Sequence, residues 1–189
     1  MFSKWLVEFI LKNSTLPEKD MVVARYGLVK VLALLEDLVF TILLGTILGI
    51  VWESIIFQIS FISLRMYAGG CHSKTELRCK VHSALVTVAA LAAIRLIPSG
   101  CEKICLLPLG ISVIIGVMAP VEAKNKPLSQ NERRINKYKT IIILIILNLL
   151  MIFDLIFAWG VFYKATIVVI GGVFMLMIVG MIGNHTKSY

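Results

Sequence analysis

From Ala165 to Gly183 the chain runs without a charged residue, and Ile141 to Phe153 does the same. As a helix the longer of these measures about 28 Å at 1.5 Å per residue, close to the thickness of a bilayer's hydrocarbon core. A membrane imposes its own rule on such a segment. With no water to pair with, every backbone N–H and C=O must be satisfied within the protein, which selects the helix. The pattern predicts an all-α polytopic membrane protein.

Composition agrees. Of 189 residues, 59% are hydrophobic and 16% charged, more apolar than an ordinary soluble domain. The net charge of +8 raises nucleic acid as a partner. Yet the Lys and Arg fall in short segments between apolar runs, a distribution that belongs to membrane topology, and nucleic-acid binding is set aside. Suppose the N-terminus, the segment 65–80, the segment after Pro120 and the C-terminus share one side. That side then holds all of the 19 Lys and Arg except Arg95, Lys103 and Lys164, and the positive-inside rule puts both termini in the cytosol. No small-residue cleavage site follows an apolar core near the N-terminus, so no removable signal peptide is expected. Cys71, Cys79, Cys101 and Cys105 form neither paired CxxC motifs nor a secretory framework, and no disulfide core is expected.

In order, the chain reads as one integral membrane domain with about six spans in three hairpins. Residues 1–20 are an amphipathic lead-in, with Lys4, Glu8 and Lys12 on one face of a helix suited to the interface; a frayed terminus is the alternative. Asn13 to Asp20, with Pro17, is a break. Leu28–Val51 is the first span, burdened by Lys30, Glu36 and Asp37, which are expected to face protein or the cytosolic interface. Gly45 and Gly49 form a GxxxG that lets another helix approach and leans toward a homodimer. Trp52 and Glu53 mark the turn. The return helix Ser54–Leu64 is short and must borrow Arg65 to Tyr67 or tilt. A helix from Lys74 to Ile97, ended by Pro98, and a span from Ile104 to Ala119 follow. Pro120 to Thr140 reads as a polar cytosolic loop carrying Lys124, Lys126, Arg133, Arg134, Lys137 and Lys139. Ile141–Phe153 and Ala165–Gly183 close the bundle through Asp154, Trp159 and Lys164.

Reactive side chains crowd into Arg65-Met-Tyr-Ala-Gly-Gly-Cys-His-Ser-Lys-Thr-Glu-Leu-Arg-Cys-Lys-Val-His82. Ser73 and Glu76 have the spacing of a capping box, which starts a helix at Lys74 and puts Cys79 in its second turn. His72 lies just outside the cap on a chain loosened by Gly69 and Gly70, so it can fold back toward Cys79. A thiol beside an imidazole is the minimum for thiol nucleophilic catalysis, and Arg78 and Lys80 would favour the thiolate. The bland reading makes Cys79 a small apolar residue and His72 a loop residue. A polar, glycine-hinged loop between apolar segments gives the catalytic reading its weight.

Arg65-x-Tyr-Ala-Gly-Gly-x-His72-x6-Cys79 resembles the signature of the accessory gene regulator B (AgrB) family of membrane cysteine endopeptidases, and Ala119-Pro-Val-Glu-Ala-Lys-Asn-Lys-Pro127 resembles a second block of that family. Cys71 stands where an aromatic residue is expected, and Ser73 where Ala is. The resemblance implies that His72 and Cys79 are the catalytic pair, supported by Arg65, Gly69, Gly70 and Ser73. It implies an AgrD-like precursor as partner, cleaved through a Cys thioester that cyclises to a thiolactone or lactone signal, with no cofactor. The cations Lys124, Lys126, Arg133 and Arg134 are candidates for binding an acidic part of that precursor, with anionic lipid as the competing partner.

Two rivals stand beside this reading. Cys71, His72, Cys79 and His82 supply enough ligands for tetrahedral zinc, though C-H-x6-C-x2-H is not a common zinc spacing. His82 otherwise reads as a helix-surface residue or a reserve base. Alternatively, Glu36, Asp37, Glu53, Arg95 and Asp154 line the polar path of a small transporter or channel.

Overall fold

A computed structural model describes residues 7–11, 17–69, 76–98, 106–122, 128–157 and 159–185. Within them the chain is helical: after a short helical stretch at 7–11 come α1 (Glu18–Leu48), α2 (Val51–Ala68), α3 (Glu76–Leu96), α4 (Leu106–Met118), α5 (Gln130–Phe157) and α6 (Phe162–His185). Among the described residues, three helices are long and apolar enough to cross a membrane, at Asp20–Leu48, Gln130–Phe157 and Phe162–Ile182, and α4 is a shorter apolar helix. Of the lead-in, residues 7–11 and 17–20 are described. In the first piece Val7 is buried, Phe9 and Ile10 are exposed, and Glu8 meets Arg25 of α1 at 3.4 Å.

Several boundaries differ from the sequence expectation, each for a local reason. The break before the first span ends at Pro17, not Asp20. Pro17 has φ −60°, its missing N–H costs nothing at a helix start, and its carbonyl accepts from the N–H groups of Asp20 and Met21. The following turn is made by Gly49, not by Trp52 and Glu53. Gly49 adopts φ 70° and donates to Thr46 O, while Ile50 donates to Gly45 O, the paired bonds of a Schellman motif. α2 does borrow Arg65 to Tyr67, and runs on to Ala68.

The largest difference is at α5. Its first turns occupy half of the expected polar loop, so Arg133, Arg134, Lys137 and Lys139 are helical. Ser129 and Glu132 start the helix reciprocally: Ser129 N–H and Oγ donate to Glu132 Oε2 at 2.9 and 2.8 Å, and Glu132 N–H donates back to Ser129 Oγ at 3.3 Å. This is a capping box.

The core gathers on α6, where Val169, Ile170, Val173 and Met177 are fully buried against Phe57 and Leu64 of α2, Leu91 and Ile94 of α3, and Ile115 of α4. α2 packs on α1, α5 and α6; α4 packs on α5 and α6; α3 packs on α1 and α6. Outward-facing Val113, Leu149, Ile156, Val179 and Ile182 are more than half exposed or close to it, as suits side chains whose solvent is lipid. Polar groups inside pair across helices: Thr41 Oγ1 donates to Gln58 Oε1 at 3.1 Å, and Asn148 Nδ2 to Ser112 Oγ at 2.9 Å.

Loops sort to two ends. At one, the end of α2 meets the residues after α4 and the first turns of α5. At the other, Tyr163 Oη at the start of α6 donates to Pro98 O at 3.3 Å, just past α3, and Asp154 Oδ2 accepts from Tyr163 N–H at 2.9 Å.

Candidate functional site

The reactive stretch enters from α2 and leaves through α3. Gly70, Cys71, His72, Ser73, Lys74 and Thr75 lie outside the described residues, so the His72–Cys79 approach and the Ser73 cap do too. α3 is described from Glu76, and Cys79 is its fourth residue; the side chains from Glu76 to Cys79 are likewise outside the description. What the structure defines is the frame that holds both ends of this stretch.

The entry is pinned by backbone. Gly69 forms an isolated parallel bridge with Val121, and Val121 N–H donates to Ala68 O at 2.9 Å. Gly69 has φ 81° and ψ −156°, a region open to glycine and closed to other residues. A Cβ at this position would run into the Val121 carbonyl oxygen and stand 3.0 Å from its carbon. The glycine therefore permits a close approach as well as a turn. Beside it, Lys139 Nζ lies 4.7 Å from the Tyr67 ring centroid, and the Arg65 guanidinium lies 5.9 Å from that of Phe61. Arg65 thus sits in the last turn of α2, half-buried against its own helix, with Gly69 the next support beyond it.

The exit is pinned by charge. Lys80 Nζ contacts Glu36 Oε2 at 2.6 Å, and Ser83 Oγ donates to Asp37 Oδ2 at 2.9 Å. Lys80, expected to favour the Cys79 thiolate, has its charge offset by a carboxylate from the first span. Glu36 and Asp37 do face protein, as expected, but their partners lie more than forty residues away along the chain, and no local pattern signals them. His82 is exposed, in keeping with a helix-surface residue.

The basic segment is only partly free. Lys124 and Lys126 lie outside the described residues. Arg133 meets Glu122 at 3.7 Å, Arg134 lies 5.8 Å from the Tyr138 ring, and Lys137 Nζ reaches Val117 O at 3.4 Å. The Gly69–Val121 bridge and the Lys139–Tyr67 contact place this segment against the motif's own helix end, a juxtaposition the sequence did not announce. An open apolar groove of about 600 Å³ runs between α4 and α5 from Lys137 past Asn148 to Ile152, away from residues 65–83.

Of the residues that a transporter would use, Glu36 and Asp37 hold Lys80 and Ser83, Glu53 lies in the first turn of α2, Asp154 holds the start of α6, and Arg95 is exposed at the end of α3.

Residues 3–182 match the family described as accessory gene regulator B. The chain is 29% identical over 146 residues to an AgrB-like protein of Lactiplantibacillus plantarum, covering 75% of this chain and 72% of that protein. It is 23% identical over 139 residues to AgrB-like protein 2 of Clostridium perfringens, covering 70% and 65% respectively. It is 27% identical over 104 residues to accessory gene regulator protein B of Staphylococcus intermedius, covering 55% of each chain. No solved structure matches.

Proposed function

We propose, from the premise that the chain belongs to the accessory gene regulator B family, that it is a membrane cysteine endopeptidase acting on an AgrD-like signal precursor in quorum sensing. The observation that carries this reading is the His72–Cys79 motif, set in the single reactive stretch of a chain whose family match runs nearly end to end. The pinned ends of that stretch support it, because a nucleophile and base that must meet need fixed anchors on both sides.

Cys79 as thiolate attacks a backbone carbonyl of the bound precursor, after His72 has taken the thiol proton. The carbon–nitrogen bond breaks, His72 returns the proton to the leaving amine, and the N-terminal part remains as a thioester on Cys79. A thiol or hydroxyl within that part then gives its proton to His72 and attacks the thioester carbonyl. The bond to Cys79 breaks, Cys79 leaves as thiolate, and a thiolactone or lactone closes. The thioester keeps the acyl group activated, so cyclisation needs no further energy source.

In this reading the chain is one bacterial-membrane domain with six spans, both termini and residues 65–80 in the cytosol. Lys124, Lys126, Arg133 and Arg134 engage an acidic segment of the precursor. Purified protein in liposomes with a candidate precursor tests it. Cleavage abolished by alkylating Cys79 is the expected result; solute flux that survives alkylation, without cleavage, would replace the protease by a transporter.

A further inference from the structure

The acidic residues of the first span and the helix that carries Cys79 meet at two adjacent points. Glu36 takes Lys80, the residue after Cys79, and Asp37 takes Ser83, one helical turn after Cys79. The backbone that carries the two acids is tied to α2: the Thr41 hydroxyl lies 2.7 Å from Asp37 O and 3.1 Å from the buried Gln58 Oε1, its one proton shared between the two acceptors. The polar chain thus runs from α2 through α1 into the first turns of α3.

Both contacts are short, and the Lys80–Glu36 pair is about half exposed, a setting in which an ion pair adds little to global stability. Charges placed in the first half of a membrane span are nevertheless costly unless they have a use. Their partners lie on the two sides of one helical turn, immediately after the nucleophile. That placement fits an orienting role better than a stabilising one.

We infer that Glu36 and Asp37 are positioning residues for Cys79: by holding Lys80 and Ser83 they fix the roll and height of the α3 N-terminus, and so where residue 79 is presented. The inference rests on the peptidase reading for its catalytic consequence, while the docking itself does not. A misplacement of the order of 1 Å at a reacting group can cost roughly a hundredfold in rate, so small rotations of α3 matter to turnover and little to substrate binding.

The test uses full-length protein in proteoliposomes, with Glu36→Lys, Lys80→Glu, the double exchange, and the milder Glu36→Gln with Asp37→Asn. Amide hydrogen exchange is read by mass spectrometry, and kcat and KM are read on a candidate precursor peptide. Each single reversal is expected to lower kcat by at least about tenfold with KM within about twofold, and to speed exchange across 79–86 while leaving Val169 to Met177 protected. The double exchange is expected to restore both. If the reversals speed exchange in α6 as much as in α3, or if the Glu36→Gln, Asp37→Asn variant leaves exchange at α3 unchanged, the positioning role is overturned. If Cys79→Ala protein still cleaves, the peptidase assignment fails, and the exchange data alone then decide the docking.

Discussion

Ser54 lies directly against the α-carbon of Gly45, with its Cβ 2.6 Å from where a Cβ on Gly45 would stand. The small residue is consumed inside the chain: α2 returns across α1 at this point, and Gly49, the other half of the GxxxG, is the left-handed cap that ends α1. The motif therefore gives no support to a homodimer.

Gly45→Leu is expected to destabilise the monomer by about 1–3 kcal/mol, the usual cost of overpacking. Thermal unfolding in detergent, followed together with size-exclusion chromatography, checks it. A shift in oligomeric state at unchanged melting temperature would return the glycine to an intermolecular face.

Gly69→Ala should be worse than its size suggests. The substitution meets the Val121 carbonyl and also requires a backbone region nearly reserved for glycine, a penalty of about 1–3 kcal/mol. Cleavage is expected to fall in parallel with loss of protection at the Val121 amide, read by hydrogen exchange. Wild-type activity in Gly69→Ala would show that the bridge to Val121 is dispensable for the reaction.

Cys79→Ala and His72→Ala are expected to abolish precursor cleavage while membrane insertion is retained, since neither residue lies in the long apolar helices. Cys71→Ala should keep most activity. Iodoacetamide should inactivate the wild type and chelators should not; inactivation by chelation would support a Cys/His zinc site instead.

Reversal of Lys124 and Lys126 to Glu should weaken cleavage, and Lys substituted for acidic residues of the precursor should partly restore it. Arg133→Glu should have a smaller effect on cleavage, because Arg133 already faces Glu122. Loss without rescue would assign these cations to anionic lipid, worth about 1 kcal/mol each near the surface.

Helix type was legible wherever apolar runs were long, and the reactive stretch was legible through its motif. Other features were missed for distinct physical reasons. Ser129-Gln-Asn-Glu132 carries the same capping spacing as Ser73 and Glu76, but the cations around it have the look of a loop. Gly45 and Gly49 look alike in sequence, yet one serves a close approach and the other a positive φ. Glu36 and Asp37 showed only their cost. Their partners on α3 arise from folding, and a local window contains no sign of Lys80 or Ser83. The Val121 contact to Ala68 and Gly69 is backbone to backbone, so side-chain identity reveals only the glycine half of it.

That contact has a topological consequence. The chain departs at Gly69 and comes back to the same point at Val121, so α3 and α4, which pack on α1, α5 and α6, belong to an excursion whose neck is one strand-like backbone pairing. Closing so long a loop costs only logarithmically more than closing a short one, which makes the excursion cheap to keep and tolerant of changes in its length. Insertions after Pro98 would lengthen it without moving its neck, whereas a shift of one residue at Val121 would change the departure point of the segment that bears His72. Variation in this chain should therefore be permitted at the far tip and refused at the neck.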